Sequence, residues 1–271
     1  MSVWWCFFKK EFRLMQSFWV TAGVALIIAG LTATYLAYQF HSGVPSMALF
    51  IVMVWHSFYL FIYMMVSLRR EKGNTPIWMQ SPQPAWLLLS TKFAAGLVLM
   101  YASLVVTLAF WQIVMNLDFQ TGLYQGQHQF RVLLSISDLM QAHWGMSILA
   151  ISKRALCLSA LGTLIYFFID LLKYLFRGWR WVIGLLLFLA VLFVVVCFRD
   201  TAIFGALFGW GKIQLTGFST LHLPETINGP PAPWIFKNFF PAYWGAVLYE
   251  LLLFLIAFFV SAWLLDRKVE V

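Results

Sequence analysis

Six stretches of this sequence each run for about twenty residues with few or no charges, and nothing else constrains the fold as much. They lie near residues 17–38, 47–68, 93–115, 155–175, 181–198 and 242–265. A hydrocarbon layer of about 30 Å takes roughly 20 apolar helical residues to cross. Lipid offers no partner for backbone N–H and C=O groups, so only helices and closed barrels span it. The stretches lack the alternation that barrel strands show. The fold class expected is therefore an all-α polytopic membrane protein with six transmembrane helices and one transmembrane domain over residues 1–271. Composition agrees, with 62% hydrophobic and 10% charged residues, against about 25% charged in a soluble domain. One soluble core could not take up 27 Phe and 14 Trp, whereas lipid can, and Trp and Tyr favour the headgroup boundary.

The first stretch exceeds the roughly 7–15 residue core of a cleaved signal, and a second span follows closely, so it reads as a signal anchor. With the N-terminus inside, the inner segments hold Lys9, Lys10, Arg13, Arg69, Arg70, Lys72, Lys92, Lys173, Arg177, Arg180, Arg267 and Lys268. The outer ones hold only Arg131, Lys153, Arg154, Arg199, Lys212 and Lys237. That bias puts both termini in the cytoplasm. The net charge of +8 is scattered between apolar runs. It suits anionic headgroups of the bilayer rather than a nucleic acid, which would call for one basic face. Cys6, Cys157 and Cys197 are odd in number and lie in or beside apolar stretches, so they read as small hydrophobes rather than a disulfide or zinc framework.

Three segments fit less simply. Residues 1–16 place Trp4, Trp5, Phe8 and Phe12 largely on one side of a helix and Lys9, Lys10 and Arg13 on the other. This is the pattern of an interfacial helix, or else the basic flank of the first span. Residues 116–154 are long for a connector; 133–151 read as an interfacial helix or a weak extra span, with Asp138, Gln141 and His143 arguing against full insertion. The long outer loop 199–241 opens with an apolar, Gly-rich run at 201–211 and ends in Gly229-Pro230-Pro231-Ala232-Pro233, which breaks regular structure. Short apolar helices dipping back toward the membrane are compatible with that opening where protein covers their ends.

The loop 69–92 carries the functional reading. Charged Arg69, Arg70, Glu71 and Lys72 precede a Gly73-Asn74 turn. Thr75 is placed to cap a helix beginning at Pro76, and Pro82 and Pro84 would stop it. About two turns of cytoplasmic helix would then expose Ile77, Trp78 and Met79, as a docking surface requires; the alternative is a loop lying on headgroups through Trp78 and Trp86. This arrangement resembles the permease subunits of ABC transporters of the type-two exporter family. The family's pattern of a Glu, a Gly-Thr-like pair, apolar residues, a Pro and a Lys opening the third span is met by Glu71, Asn74-Thr75, Ile77-Trp78-Met79, Pro82 and Lys92. Asn74 stands where Gly is common, and Gln83-Pro84-Ala85 replaces a Ser-Arg type of ending.

The resemblance implies an N-terminal elbow helix and a cytoplasmic coupling helix whose Glu71, Thr75, Ile77, Trp78 and Met79 contact a separate cytoplasmic ATP-binding subunit. It also implies a second permease copy or sister permease, location in a bacterial cytoplasmic membrane, and export of an amphipathic, lipid-like or peptide substrate. ATP and Mg would be bound by the partner, with no cofactor in this chain.

Within the spans, ionisable and polar groups are candidates for a translocation path. His56 lies mid-way along the second span, Thr107 and Gln112 share a face of the third, and Glu250 lies in the sixth. His56 could instead bond a neighbouring helix. Glu250 could form a buried pair, contact substrate or reach the outer interface, and Asp170 with Lys173 reads as an interfacial cluster. No phosphate-binding Gly-x-x-x-x-Gly-Lys-Ser/Thr, His-Glu-x-x-His or nucleophile elbow occurs, so a catalytic role is not expected. Two other readings remain: a membrane enzyme or maturation protein using His222 and Glu225 at the outer face, and a sensor or assembly subunit.

Overall fold

The computed structural model describes residues 3–40, 43–71, 83–120, 144–171, 180–213 and 243–269. They form helix α1 (Val3–Leu14), α2 (Gln16–Phe40), α3 (Val44–Glu71), α4 (Ala85–Gln120), α5 (Trp144–Leu171), α6 (Arg180–Arg199), the short α7 (Ala202–Phe208) and α8 (Trp244–Val269). Among the described residues there are no strands. Helices α2 to α6 and α8 are long and apolar enough to cross a membrane.

Helix α5 is central, packed between α3 and α8; α4 packs on α3 and α2 and touches α8. Helix α6 rests chiefly on α5. The contrast in burial is large: 67% of the most apolar stretch of α5 is buried, and 0% of that of α6. Leu185, Leu186, Leu189, Phe193 and Val194 of α6 are all exposed. Water does not tolerate an apolar face of that extent, and a bilayer does. Length, composition and exposure together fit a multi-pass membrane protein.

In lipid, helices associate through close packing rather than through exclusion of water. The core follows that rule. A methyl group on Gly162 would collide with the ring of Phe61, so the ring of α3 packs directly against the backbone of α5 where this position carries only hydrogen. Two apolar clusters result. One, nearer the ends of α3 and α4 that flank residues 72–82, gathers Met15, Leu60, Tyr63, Leu89, Phe93 and Phe258. The other gathers Ala37, Met53, Leu104, Trp111, Met115 and Ile151. The first end is called the loop end below, and the opposite one the far end.

Several span limits differ from those read in the sequence. The fourth span does not begin near residue 155: the helix starts at Trp144, so Lys153 and Arg154 lie inside it and residues 144–151 are neither an interfacial helix nor a separate span. Hydropathy treats a cation as the end of a span, but this helix carries Lys153 because Glu250 of α8 neutralises it. The third span likewise begins at Ala85 rather than near 93, which makes Lys92 a buried interior residue instead of the span's opening charge. Residues 131–143 lie outside the described residues.

The apolar run after α6 does form a short helix, α7. Thr201 Oγ1 accepts from the Phe204 amide at 3.2 Å and caps it. Gly211 follows with φ of +70°, a conformation that side-chain-bearing residues rarely adopt. It lets the Gly211 carbonyl accept from the Trp244 amide at 3.0 Å, tying the chain after α7 to the start of α8.

Candidate functional site

At the loop end, the residues on both sides of 72–82 are fastened to the rest of the bundle. Arg70, near the end of α3, donates from Nη1 to the Leu14 carbonyl at 2.9 Å and to Ser17 Oγ at 3.0 Å, where α1 meets α2. On the other side, the Ala85 amide that opens α4 donates to Asp266 Oδ1 of α8 at 3.0 Å, a helix cap supplied from a distant part of the chain. One turn further on, Ser90 Oγ accepts from Trp4 Nε1 of α1 at 3.2 Å.

Beneath these ties lies a buried ionic cluster. Lys92 Nζ of α4 donates to Glu11 Oε1 of α1 at 2.5 Å and to Ser67 Oγ of α3 at 2.7 Å, while the Ser67 hydroxyl donates to Glu11 Oε2 at 3.1 Å. Lys92 is 1% exposed and Glu11 3%, so neither ion has water to fall back on. Buried ions persist only when paired and hydrogen-bonded, and here one carboxylate, one ammonium and one hydroxyl satisfy each other across three helices. The amphipathic α1 is held by this cluster on one side. On another, Trp4, Phe8 and Phe12 form a ladder with centroid spacings of 5.5 and 6.2 Å, continued to Trp19 of α2 at 5.6 Å. Sequence reasoning passed over Glu11. The signal was present, since Glu11 is the single carboxylate in the first seventy residues.

At the far end, Glu250 of α8 meets two cations. Lys153 Nζ of α5 lies 2.7 Å from Glu250 Oε1, and Arg199 Nη1, at the end of α6, lies 3.3 Å from the same oxygen. Arg154 is close enough to interact electrostatically with both Glu250 and Arg199. Glu250 Oε2 has no hydrogen-bond partner among the described residues. An aromatic wall closes one side of the cluster, with Tyr249 5.8 Å from Phe198, 5.2 Å from Phe204 and 5.1 Å from Phe208, centroid to centroid.

The other residues singled out from the sequence fall as follows. Glu71 ends α3, and Thr75, Ile77, Trp78 and Met79 lie outside the described residues. His56 is buried, with Nδ1 2.9 Å from the Val52 carbonyl and Nε2 3.0 Å from Ser103 Oγ of α4. Thr107 donates to the Ser103 carbonyl at 3.0 Å, so these two meet through Ser103 in the contact between α3 and α4. Gln112 donates to Asn116 Oδ1 one turn away at 3.3 Å. Glu250 has the buried pairing that the sequence left as one of three alternatives. His56 with Thr107, Gln112 and Glu250 thus engage three different sets of partners.

A slot of about 550 Å³ opens between α3, α5 and α6. Phe61, Met65, Ile169 and Phe188 line its apolar length, and Arg69 and Asp170 stand at the loop end. Volumes of this order suit small ligands. No group of three or more His, Cys, Asp or Glu among the described residues could hold a metal ion. Comparison with protein families, with characterised proteins and with solved structures gives no match for this chain.

Proposed function

We propose that this chain is a permease subunit of an ATP-driven exporter, working in a pair and coupled through residues 71–79 to a cytoplasmic ATP-binding subunit that holds ATP and Mg. The observation that carries the reading is the fastening of both stems of the 72–82 segment. Arg70 ties the α3 stem to the α1–α2 junction, and Asp266 ties the α4 stem to α8. The buried Glu11–Lys92–Ser67 cluster joins α1, α3 and α4 just behind. A push on that segment would therefore move five helices together rather than deform one loop. A rigid-body switch biased by nucleotide requires that behaviour. In this reading α1 is the elbow helix at the inner membrane surface, both termini are cytoplasmic and the membrane is a bacterial cytoplasmic membrane. The apolar slot with Arg69 and Asp170 at its end is of a size and character for an amphipathic, lipid-like or peptide substrate.

The test is purification of the chain from its native membrane in mild detergent. An ATP-hydrolysing subunit with a phosphate-binding loop should accompany it, and Trp78→Asp should release that subunit while leaving the chain folded. Absence of any such subunit, or labelling of a Trp78→Cys thiol only from the exterior of intact cells, overturns the reading.

A further inference from the structure

We propose that the slot between α3, α5 and α6 holds one acyl chain of a membrane phospholipid, with the headgroup at the loop end. The length of the slot follows from the helices that wall it. It runs from Phe61 to Arg69 on α3 and from Gly162 to Asp170 on α5. At 1.5 Å per residue, either interval is about 12 Å. One leaflet of a 30 Å hydrocarbon layer is about 15 Å deep, so the slot has nearly the depth of a leaflet and runs parallel to the helices, as lipid chains do. Polarity changes along it in the same sense. Phe61 and Phe188 stack at 5.0 Å and close the deep end. Met65 and Ile169 line the middle, and Arg69 and Asp170 stand at the loop end. Both charged residues already interact within the chain, so they mark the polar end without offering an unpaired charge.

The slot opens sideways. Ile62 of α3 and Leu185 of α6 both line it, yet they are 43% and 60% exposed. They form the lips of a lateral mouth, and α6 beyond it presents an apolar stretch with no buried residue. Apolar side chains that face a void forfeit dispersion contacts, and water has too few polar partners in such a lining to replace them. A flexible chain from the adjoining leaflet supplies those contacts while its headgroup stays at the interface. An extended peptide would instead bring N–H and C=O groups for which the lining has no partners. Gly184 keeps the slot clear on the α6 side, since a Cβ there would fall 2.7 Å from Ile169 Cδ1. As a statement about cargo, an acyl lipid rests on the exporter reading, whereas its binding is a property of this chain alone. An experiment without an ATPase can therefore fail while the coupling test of that reading stands.

The test places the full chain in nanodiscs doped with a phosphatidylcholine that carries a diazirine midway along one acyl chain. After irradiation, labelled residues are located by mass spectrometry. Met65 and Ile169 should be labelled more strongly than Phe193 and Val194, which are exposed on α6 and report passing chains. Gly184→Leu fills the slot and should lower labelling of Met65 and Ile169 about tenfold, with Phe193 and Val194 unchanged. Phe188→Ala opens the deep end. A diazirine at the tip of a long chain should then label α5 and α6 about one helical turn further toward the far end, a gain that a misfolded chain could not show.

Labelling of Met65 and Ile169 no stronger than that of Phe193 and Val194, or unchanged in Gly184→Leu, overturns the proposal. So does a label that stays in place in Phe188→Ala. Labelling of the slot by a diazirine-bearing apolar peptide, with none by the lipid probe, would assign the slot to a peptide and overturns it as well.

Discussion

The two ends of the helical bundle each bury an ionic cluster, and they balance it in opposite ways. At the loop end one ammonium, Lys92, meets one carboxylate, Glu11, and Ser67 completes both. At the far end one oxygen of Glu250 is shared between Lys153 and Arg199, with Arg154 near by. In the first arrangement one cation meets one anion, and both carboxylate oxygens have partners from α3 and α4. In the second, two cations converge on one carboxylate oxygen, the other oxygen has no hydrogen-bond partner among the described residues, and Arg199 is partly exposed.

The largest expected break in this contrast is Lys92→Met. It strands Glu11 as an uncompensated buried charge and should cost about 3–5 kcal/mol of unfolding free energy in detergent. Adding Glu11→Gln should recover part of that loss, because it removes the stranded charge; no recovery at all would mean that the Glu11–Lys92 ion pair is not what the first substitution breaks. Ser67→Ala should cost about 2 kcal/mol, since the hydroxyl completes both ions. Lys153→Met should cost only about 1 kcal/mol, because Arg199 still holds the shared Glu250 oxygen. A loss as large as that of Lys92→Met would erase the distinction between the two ends. The smallest effect is expected for Asp266→Ala, about 0.5 kcal/mol for a lost cap, seen first as faster hydrogen exchange at the Ala85 amide.

The sequence exposed the spans better than it exposed what lies between and within them. Uncharged runs identify α2, α3 and α6 closely, because in those runs apolar composition and helix length coincide. The reading failed where a charge sits inside a helix. By hydropathy Lys153 and Arg154 read as loop residues and Lys92 as an opening charge, since a linear scan cannot see that Glu250 on α8 and Glu11 on α1 come to lie beside them. The partner that makes a buried charge tolerable is 97 residues away in one case and 81 in the other. His56 illustrates the converse: its position on α3 and the Val52 carbonyl one turn back are local, but its bond to Ser103 arises only with α4 packed alongside. The docking helix that Thr75, Pro76 and the apolar residues 77–79 lead one to expect lies outside the described residues, and only the stems on either side of it are described.

The cap that Asp266 places on the first amide of α4 has a consequence for biosynthesis. The two residues are 181 positions apart. A ribosome feeding the chain into the bilayer from its N-terminus delivers Glu11 long before Lys92, and Ala85 long before Asp266. The bracing around residues 72–82 is therefore assembled in two instalments. Only after α8 has left the insertion machinery can this end of the molecule become mechanically complete.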